Sequence, residues 1–246
     1  MTGPAVDYER ALVEAAVLAG LGGRPEERAF QAERDGVYEI PDPEAREAAF
    51  AALHGAWFER LRLDRRLPKA LAERPEIAGR CARCIVARVV AARDESADLL
   101  VAPPALPTLL VRVRAATLGV PARWERLLRH ELLHVADMLD PAFGYAPRLP
   151  SSPEGPAHDR RLAERYRVLW DAYVDGRLAR AGRVPAEVRE VRLGDFARAF
   201  SELGDRVPGG FEAFFGAERC THADLVAFAQ GAGADRPTVL VAAPHP

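Results

Sequence analysis

The chain has 246 residues, of which 49% are hydrophobic and 28% are charged. That composition supplies a buried core and excludes an intrinsically disordered chain. The 34 basic and 36 acidic residues give a formal net charge of -2, which excludes a global field that would attract nucleic acid or an anionic membrane. Arginine greatly outnumbers lysine and alanine is abundant. This bias is typical of a GC-rich, bacterial genome.

The first third of the chain predicts an N-terminal helical layer over residues 1–75. Residues 8–19 form a short amphipathic pattern, a breaker-rich segment and a polar stretch lead to Pro43, and residues 44–67 repeat apolar side chains at a helical period. The N-terminus lacks the basic start and the uninterrupted apolar centre of a signal peptide. No apolar run approaches 18 residues. We therefore expect a cytoplasmic protein.

Three short β-branched runs follow and predict two or three strands. They cover residues 84–92, 97–102 and 109–113, and prolines at 103, 104 and 107 separate the last two. The predicted fold class is therefore α+β and mostly helical, with a small sheet in the middle of the chain.

The most informative motif is His130-Glu131-Leu132-Leu133-His134, which has the form HExxH. Pro121 can begin a helix here, the run stays apolar on one face, and Pro141 prevents its continuation. On a helix, histidines at i and i+4 lie on one face and can both bind one zinc ion. Glu131 would then serve as the general base that takes a proton from zinc-activated water.

Residues 140–156 are rich in proline, glycine and serine and predict a loop. A strong helix is predicted over residues 159–180, where Asp171 and Asp175 lie one turn apart on a partly apolar face. Further helices are predicted at 195–203, 211–215 and 221–230, the last with Thr221 as its N-cap. We divide the chain into the helical layer over 1–75, a metal-binding core over 76–183 and a helical segment over 184–246, with a single domain as the alternative.

A catalytic zinc site needs a third protein ligand. The pattern HExxHxxGxxH would place that ligand at Asp140, but Asp137 occupies the position of its glycine. Asp171 and Asp175 are stronger candidates, because two like charges on a partly apolar face are expected to have a compensating cation or hydrogen-bond donor nearby. Glu164 is a further candidate. In the alternative interpretation the two aspartates form a solvated acidic face that pairs with arginines at positions 167, 177 or 180.

These two motifs resemble those of the gluzincin class of metallopeptidases, in which HExxH is followed on a later helix by ExxxD. The resemblance covers residues 129–139 and 166–179. It implies a zincin-like fold with a small sheet before the HExxH helix, Asp171 as the third zinc ligand and Asp175 as the residue that orients a ligating imidazole. The chain departs from the class in having aspartate where glutamate is usual, and this shorter side chain leaves the roles of Asp171 and Asp175 exchangeable.

The function that these motifs predict is zinc-dependent hydrolysis of a peptide or protein substrate, with no nucleic-acid or membrane partner. The alternative is a catalytically inactive, zincin-like protein that binds metal or has a regulatory role. A donor to the oxyanion is also required, and the candidates are Tyr145, His158 and Tyr173.

The cysteines allow a second, structural zinc ion. Cys81 and Cys84 have the CxxC spacing of half a zinc site, and Cys220 with His222 could complete it. Thiol redox chemistry is a further alternative. It is disfavoured because the CxxC motif leads into a predicted strand, whereas reactive CxxC thiols lie at helix N-termini.

Overall fold

The structure is a computed structural model that describes residues 3–231. It contains two compact units, Met1–Val135 and Ala136–Pro246. The fold is α+β and mostly helical with a small sheet, as the sequence predicts. The predicted boundaries near residues 75 and 183 stay predictions, and residues 232–246 of the last predicted segment lie outside the described chain. Within the described chain, every helix lacks either the length or the apolar composition needed to span a bilayer.

The first unit holds a four-stranded sheet with the order β1-β2-β4-β3. Strands β1 (Ala5–Tyr8), β2 (Arg83–Arg88) and β4 (Thr108–Val113) are parallel to one another, and β2 pairs with both β1 and β4. Strand β3 (Ser96–Leu100) runs antiparallel beside β4 and forms one edge of the sheet. The predicted strands at 84–92, 97–102 and 109–113 are thereby confirmed as β2, β3 and β4. Strand β1 was not predicted.

Six α-helices precede the HExxH motif in the described part of the first unit. Helix α3 begins where the Asp42 carboxylate accepts the Ala45 N–H, with Pro43 at the first helical position. The buried side chains of Trp57 and Phe30 contact each other edge to face. The bounds are α1 (Arg10–Leu21), α2 (Glu27–Tyr38), α3 (Pro43–Arg60), α4 (Arg66–Ala72), α5 (Pro75–Ala78) and α6 (Ala115–Leu118).

Three sequence predictions for this region were wrong in detail. The first helix begins at Arg10 because Tyr8 belongs to β1. The polar stretch before Pro43 contains α2, which is mostly polar and has Phe30 as its single buried residue. The helix predicted over 44–67 ends at Arg60, because the chain turns through a left-handed conformation at Arg62 (φ 58°).

Helix α7 (Pro121–Leu139) carries the HExxH motif. It begins at the predicted proline and ends two residues before Pro141, so this prediction is confirmed. The helix is continuous across the division between the units, and its last turn, from Ala136 onward, belongs to the second unit.

The second unit is built around the long helix α8 (Pro156–Arg180), which contacts α9 (Glu187–Ala199), α10 (Val207–Phe215) and α11 (His222–Ala229). The predicted Thr221 cap is confirmed, since its hydroxyl accepts the Asp224 N–H and Asp224 accepts the Thr221 N–H. The helix predicted at 195–203 begins earlier, at Glu187, and ends at Ala199. The core of this unit is rich in phenylalanine at positions 196, 200, 211, 214 and 228.

Candidate metal centre

Helix α7 brings the two histidines of the motif together. The Nε2 atoms of His130 and His134 are 3.1 Å apart, and their ring centroids are 4.8 Å apart. Two nitrogen donors that bind one tetrahedral zinc ion at about 2.0–2.1 Å are separated by about 3.3 Å. The observed separation therefore fits a shared ion. It also fits a hydrogen bond between the rings, in which one imidazole donates from Nε2 and the other accepts.

Glu131, the predicted general base, is held by the neighbouring sheet. Its Oε2 accepts the backbone N–H of Ala97 at 2.9 Å. Ala97 lies in edge strand β3 and is paired with Val111 of β4 on its inner side. The N–H that reaches Glu131 therefore points out of the sheet edge, toward the HExxH helix. Ala97 could not be identified from the sequence, because a backbone N–H donor does not depend on the type of residue that carries it.

Asp137, at the position of the missing glycine, is a buried acid that joins two helices of the second unit. Its carboxylate accepts the Trp170 indole N–H at 2.8 Å and two guanidinium N–H groups of Arg177 at 2.9 and 2.6 Å. The Arg177 guanidinium also lies 4.2 Å from the centroid of the Tyr173 ring. The last turn of α7 is thereby fixed against α8. The sequence held one signal for this role of Asp137, namely a charged residue three positions after His134 on the same helix face.

The two carboxylates of the DxxxD stretch share Arg192 of α9. The Nε of Arg192 lies 2.6 Å from Oδ2 of Asp175, and its Nη1 lies 3.3 Å from Oδ2 of Asp171. Asp175 is buried, whereas Asp171 is partly exposed. Burial disfavours the charged guanidinium, but attraction to Asp171 and Asp175 outweighs that cost and raises the pKa of Arg192.

Sequence reasoning had named other arginines as the counter-charges on this face. Arg177 instead pairs with Asp137, and Arg180 donates to the carbonyl oxygens of Phe215 and Ala217. Arg192 was missed because it lies on a different helix, 17 positions from Asp175.

The other candidate ligands lie in less suitable surroundings. Asp140 is exposed at the end of α7, and its Oδ1 accepts the Ala142 N–H at 2.9 Å. Glu164 is exposed on α8.

The three candidate oxyanion donors belong to the second unit. Tyr145 lies with its ring centroid 5.5 Å from that of Trp170, and Tyr173 is buried beside Arg177. His158 lies in the first turn of α8 and is partly buried. Their assignment as oxyanion donors stays a prediction.

The cysteines are free and buried. Burial raises the pKa of the Cys81 and Cys84 thiols, that of Cys84 to about 12, and it also raises the pKa of Cys220. The Tyr166 hydroxyl lies 2.8 Å from Nδ1 of His222, and burial lowers the pKa of this histidine. The thiolate is the reactive form, so these surroundings disfavour reactive thiol chemistry. The structural zinc site and the thiol chemistry both stay predictions.

Comparison with known proteins gives no match: no protein family, no curated protein and no solved structure matches the chain.

Proposed function

We propose that the protein is a zinc-dependent hydrolase, and specifically a peptidase that cleaves peptide bonds in a peptide or protein substrate. The observation that carries the proposal is the geometry of α7, where two imidazole Nε2 atoms lie 3.1 Å apart and a glutamate stands beside them in the sequence. A pair of ring nitrogens at this distance suits one tetrahedral ion. The combination with a neighbouring carboxylate is the one that zinc hydrolases use.

We assign the third ligand to Asp171. Two imidazoles and one carboxylate are a donor set that suits a single zinc ion. Three protein ligands leave a fourth position for water, as a catalytic zinc site requires. The resemblance to ExxxD supports the same assignment and gives Asp175 the role of an orienting partner.

A bound zinc ion would supply Lewis-acid chemistry and make water acidic enough to lose a proton near neutral pH. Glu131 is the residue that takes this proton and later returns it to the leaving amine. The Ala97 N–H fixes Oε2 of Glu131, and we assign the proton transfer to Oε1. This hydrogen bond limits rotation of the carboxylate, so the base is already oriented before the substrate binds.

Elemental analysis of purified protein tests the metal. The proteins are the wild type, His134→Asn and the double variant Cys81→Ala/Cys84→Ala. We expect one zinc per chain in the wild type and the cysteine variant and none in His134→Asn. Two histidines and one carboxylate also suit Fe(II), and the same measurement distinguishes iron from zinc. Loss of zinc in the cysteine variant alone would overturn the proposal.

Glu131→Gln tests the chemistry. In zinc-loaded protein this change keeps the size of the side chain but removes its basicity. We expect zinc content to stay at one per chain and cleavage of a mixed peptide library to fall by at least about 100-fold. Equal cleavage by the variant and the wild type would rule out Glu131 as the base. Zinc without cleavage in the wild type would favour the inactive, metal-binding alternative.

A further inference from the structure

We propose that Arg192 is the positioning residue of the metal site: it holds the two carboxylates of α8 in place and thereby sets the affinity for the metal. This inference rests on the proposed function, because it takes Asp171 as a metal ligand. It adds a residue on α9 that neither HExxH nor the DxxxD stretch contains.

The contacts of Arg192 give it this role. Its guanidinium contacts three carboxylates, those of Asp171, Asp175 and Asp195, at 3.3, 2.6 and 3.4 Å. The guanidinium group is planar and rigid, so contacts from two of its nitrogens fix both the separation and the orientation of the acids they reach. Without this cation Asp171 and Asp175 would repel each other one turn apart on the same helix. Asp195 is further neutralised by Arg198.

Fixing Asp171 matters because aspartate is one methylene shorter than the glutamate of the ExxxD pattern. The shorter side chain of aspartate can compensate less for a misplaced carboxylate. Both contacts from Arg192 to the α8 acids use Oδ2 atoms, and a carboxylate binds metal well through one oxygen while a neighbour holds the other. Removing such a supporting contact typically weakens metal binding by about 10- to 100-fold.

The positive charge of Arg192 also has an opposing effect, because it competes with a metal ion for Asp171. The distances decide between the two effects. The short contact of 2.6 Å goes to Asp175, and the contact to Asp171 is longer, at 3.3 Å. The charge of Arg192 is also shared among three acids. Positioning therefore outweighs competition, and removal of Arg192 is expected to weaken metal binding.

The test compares Arg192→Gln, Arg192→Lys and a matched control, Arg189→Gln. Arg189 lies one turn earlier on α9 and pairs with Glu212 at 2.7 Å, away from the α8 acids. The zinc dissociation constant is measured for each folded protein by competition with a chromophoric chelator. We expect the zinc dissociation constant to rise at least about 10-fold in Arg192→Gln. The rise should be smaller in Arg192→Lys, which keeps the positive charge but loses the planar guanidinium. In Arg189→Gln it should stay under about 2-fold.

The visible absorption spectrum of the cobalt-substituted proteins gives a second readout. Band positions and intensities report the coordination of the ion, which a merely structural contact between α8 and α9 would leave unchanged. We expect an altered spectrum in both Arg192 variants and the wild-type spectrum in Arg189→Gln. Arg192→Lys keeps the test valid if Arg192→Gln fails to fold.

The outcomes separate the two proposals. A wild type that binds no metal overturns the proposed function and this inference together. A wild type that binds zinc, with unchanged affinity and spectrum in the Arg192 variants, overturns this inference alone. Tighter zinc binding in Arg192→Gln also overturns it, because Arg192 would then compete with the metal instead of positioning its ligand.

Discussion

Asp137 and Arg177 form a two-point ion pair between the last turn of α7 and helix α8, with N···O distances of 2.9 and 2.6 Å. The aspartate side chain is 7% exposed and the arginine 24%. The same carboxylate accepts the indole N–H of Trp170, so three donors converge on one acid. Such a cluster stabilises a fold only while every member is present, because each buried group that loses its partner carries an uncompensated desolvation cost.

We therefore expect Asp137→Ala to lower the free energy of unfolding by about 3 kcal/mol or more, since it leaves the Arg177 charge and the Trp170 N–H without this acceptor. Urea unfolding followed by circular dichroism measures the change. Glu212→Gln, which removes an exposed partner of Arg189, is the control and should cost less than about 1 kcal/mol. Equal effects in the two variants would show that the Asp137 cluster is no more stabilising than a surface pair.

Gly176 is required where α8 passes α10. A Cβ at this position would lie 1.9 Å from the carbonyl oxygen of Phe215, a backbone atom that cannot move aside alone. We expect Gly176→Ala to destabilise the protein by about 3 kcal/mol or to prevent folding. Gly55→Ala is the control, because this glycine lies within α3 with nothing within 4 Å of the added carbon. It should raise stability by about 0.5–1 kcal/mol, and thermal melts compare the two variants.

Removal of metal should destabilise the folded protein. A ligand that binds only the folded state adds about 2.7 kcal/mol when its free concentration is 100 times the dissociation constant. For a chain of this size that corresponds to a rise of about 5–10 °C in Tm. Scanning calorimetry with zinc and with EDTA measures the shift. His134→Asn should melt at the same temperature in both conditions, and a zinc-dependent shift in this variant would contradict the assignment of His134 as a ligand.

His222 predicts a specific pH dependence of stability. Burial lowers its pKa below the ordinary value of 6.5, so the unfolded chain binds a proton there more readily than the folded protein. The contribution of neutral His222 to the free energy of unfolding is therefore complete above about pH 6.5. It is lost as the pH falls from about 6.5 toward the pKa of His222 in the folded protein. The unfolding free energy of the wild type should fall more steeply between pH 7 and 5 than that of His222→Gln. Parallel profiles would contradict the prediction.

The Cys84 thiol should react slowly in the folded protein. With its pKa raised to about 12 by burial, the thiolate fraction at pH 8 is about 1,000-fold lower than that of an ordinary thiol. Alkylation with iodoacetamide, followed by mass spectrometry of the peptide, should be at least about 100-fold slower in native protein than in urea. Rapid native labelling of Cys84 would indicate a reactive thiol and revive the redox interpretation.

The sequence by itself determined the elements whose signals are local. Pro121 and Pro141 mark the two ends of α7, and the helical spacing of the apolar residues between them indicated the helix. The β-branched runs predicted strands β2, β3 and β4, and Thr221 predicted the start of α11. Each of these signals lies within a few residues along the chain, where backbone preferences and caps act directly. The same reasoning missed β1 and α2, because their short or mostly polar patterns gain their structure from distant partners.

Only the tertiary structure decided which groups surround the chemically interesting residues. The N–H that holds Glu131 comes from Ala97, 34 positions away, and the guanidinium that joins Asp171 to Asp175 comes from another helix. Asp137 looked like a departure from a zinc motif and proved to be a buried acid with three donors. The physical reason is that hydrogen bonds and ion pairs depend on distance in space. The spacing along one helix fixes the relative position of the two histidines. Which groups from other elements contact them is decided by the packing of the core.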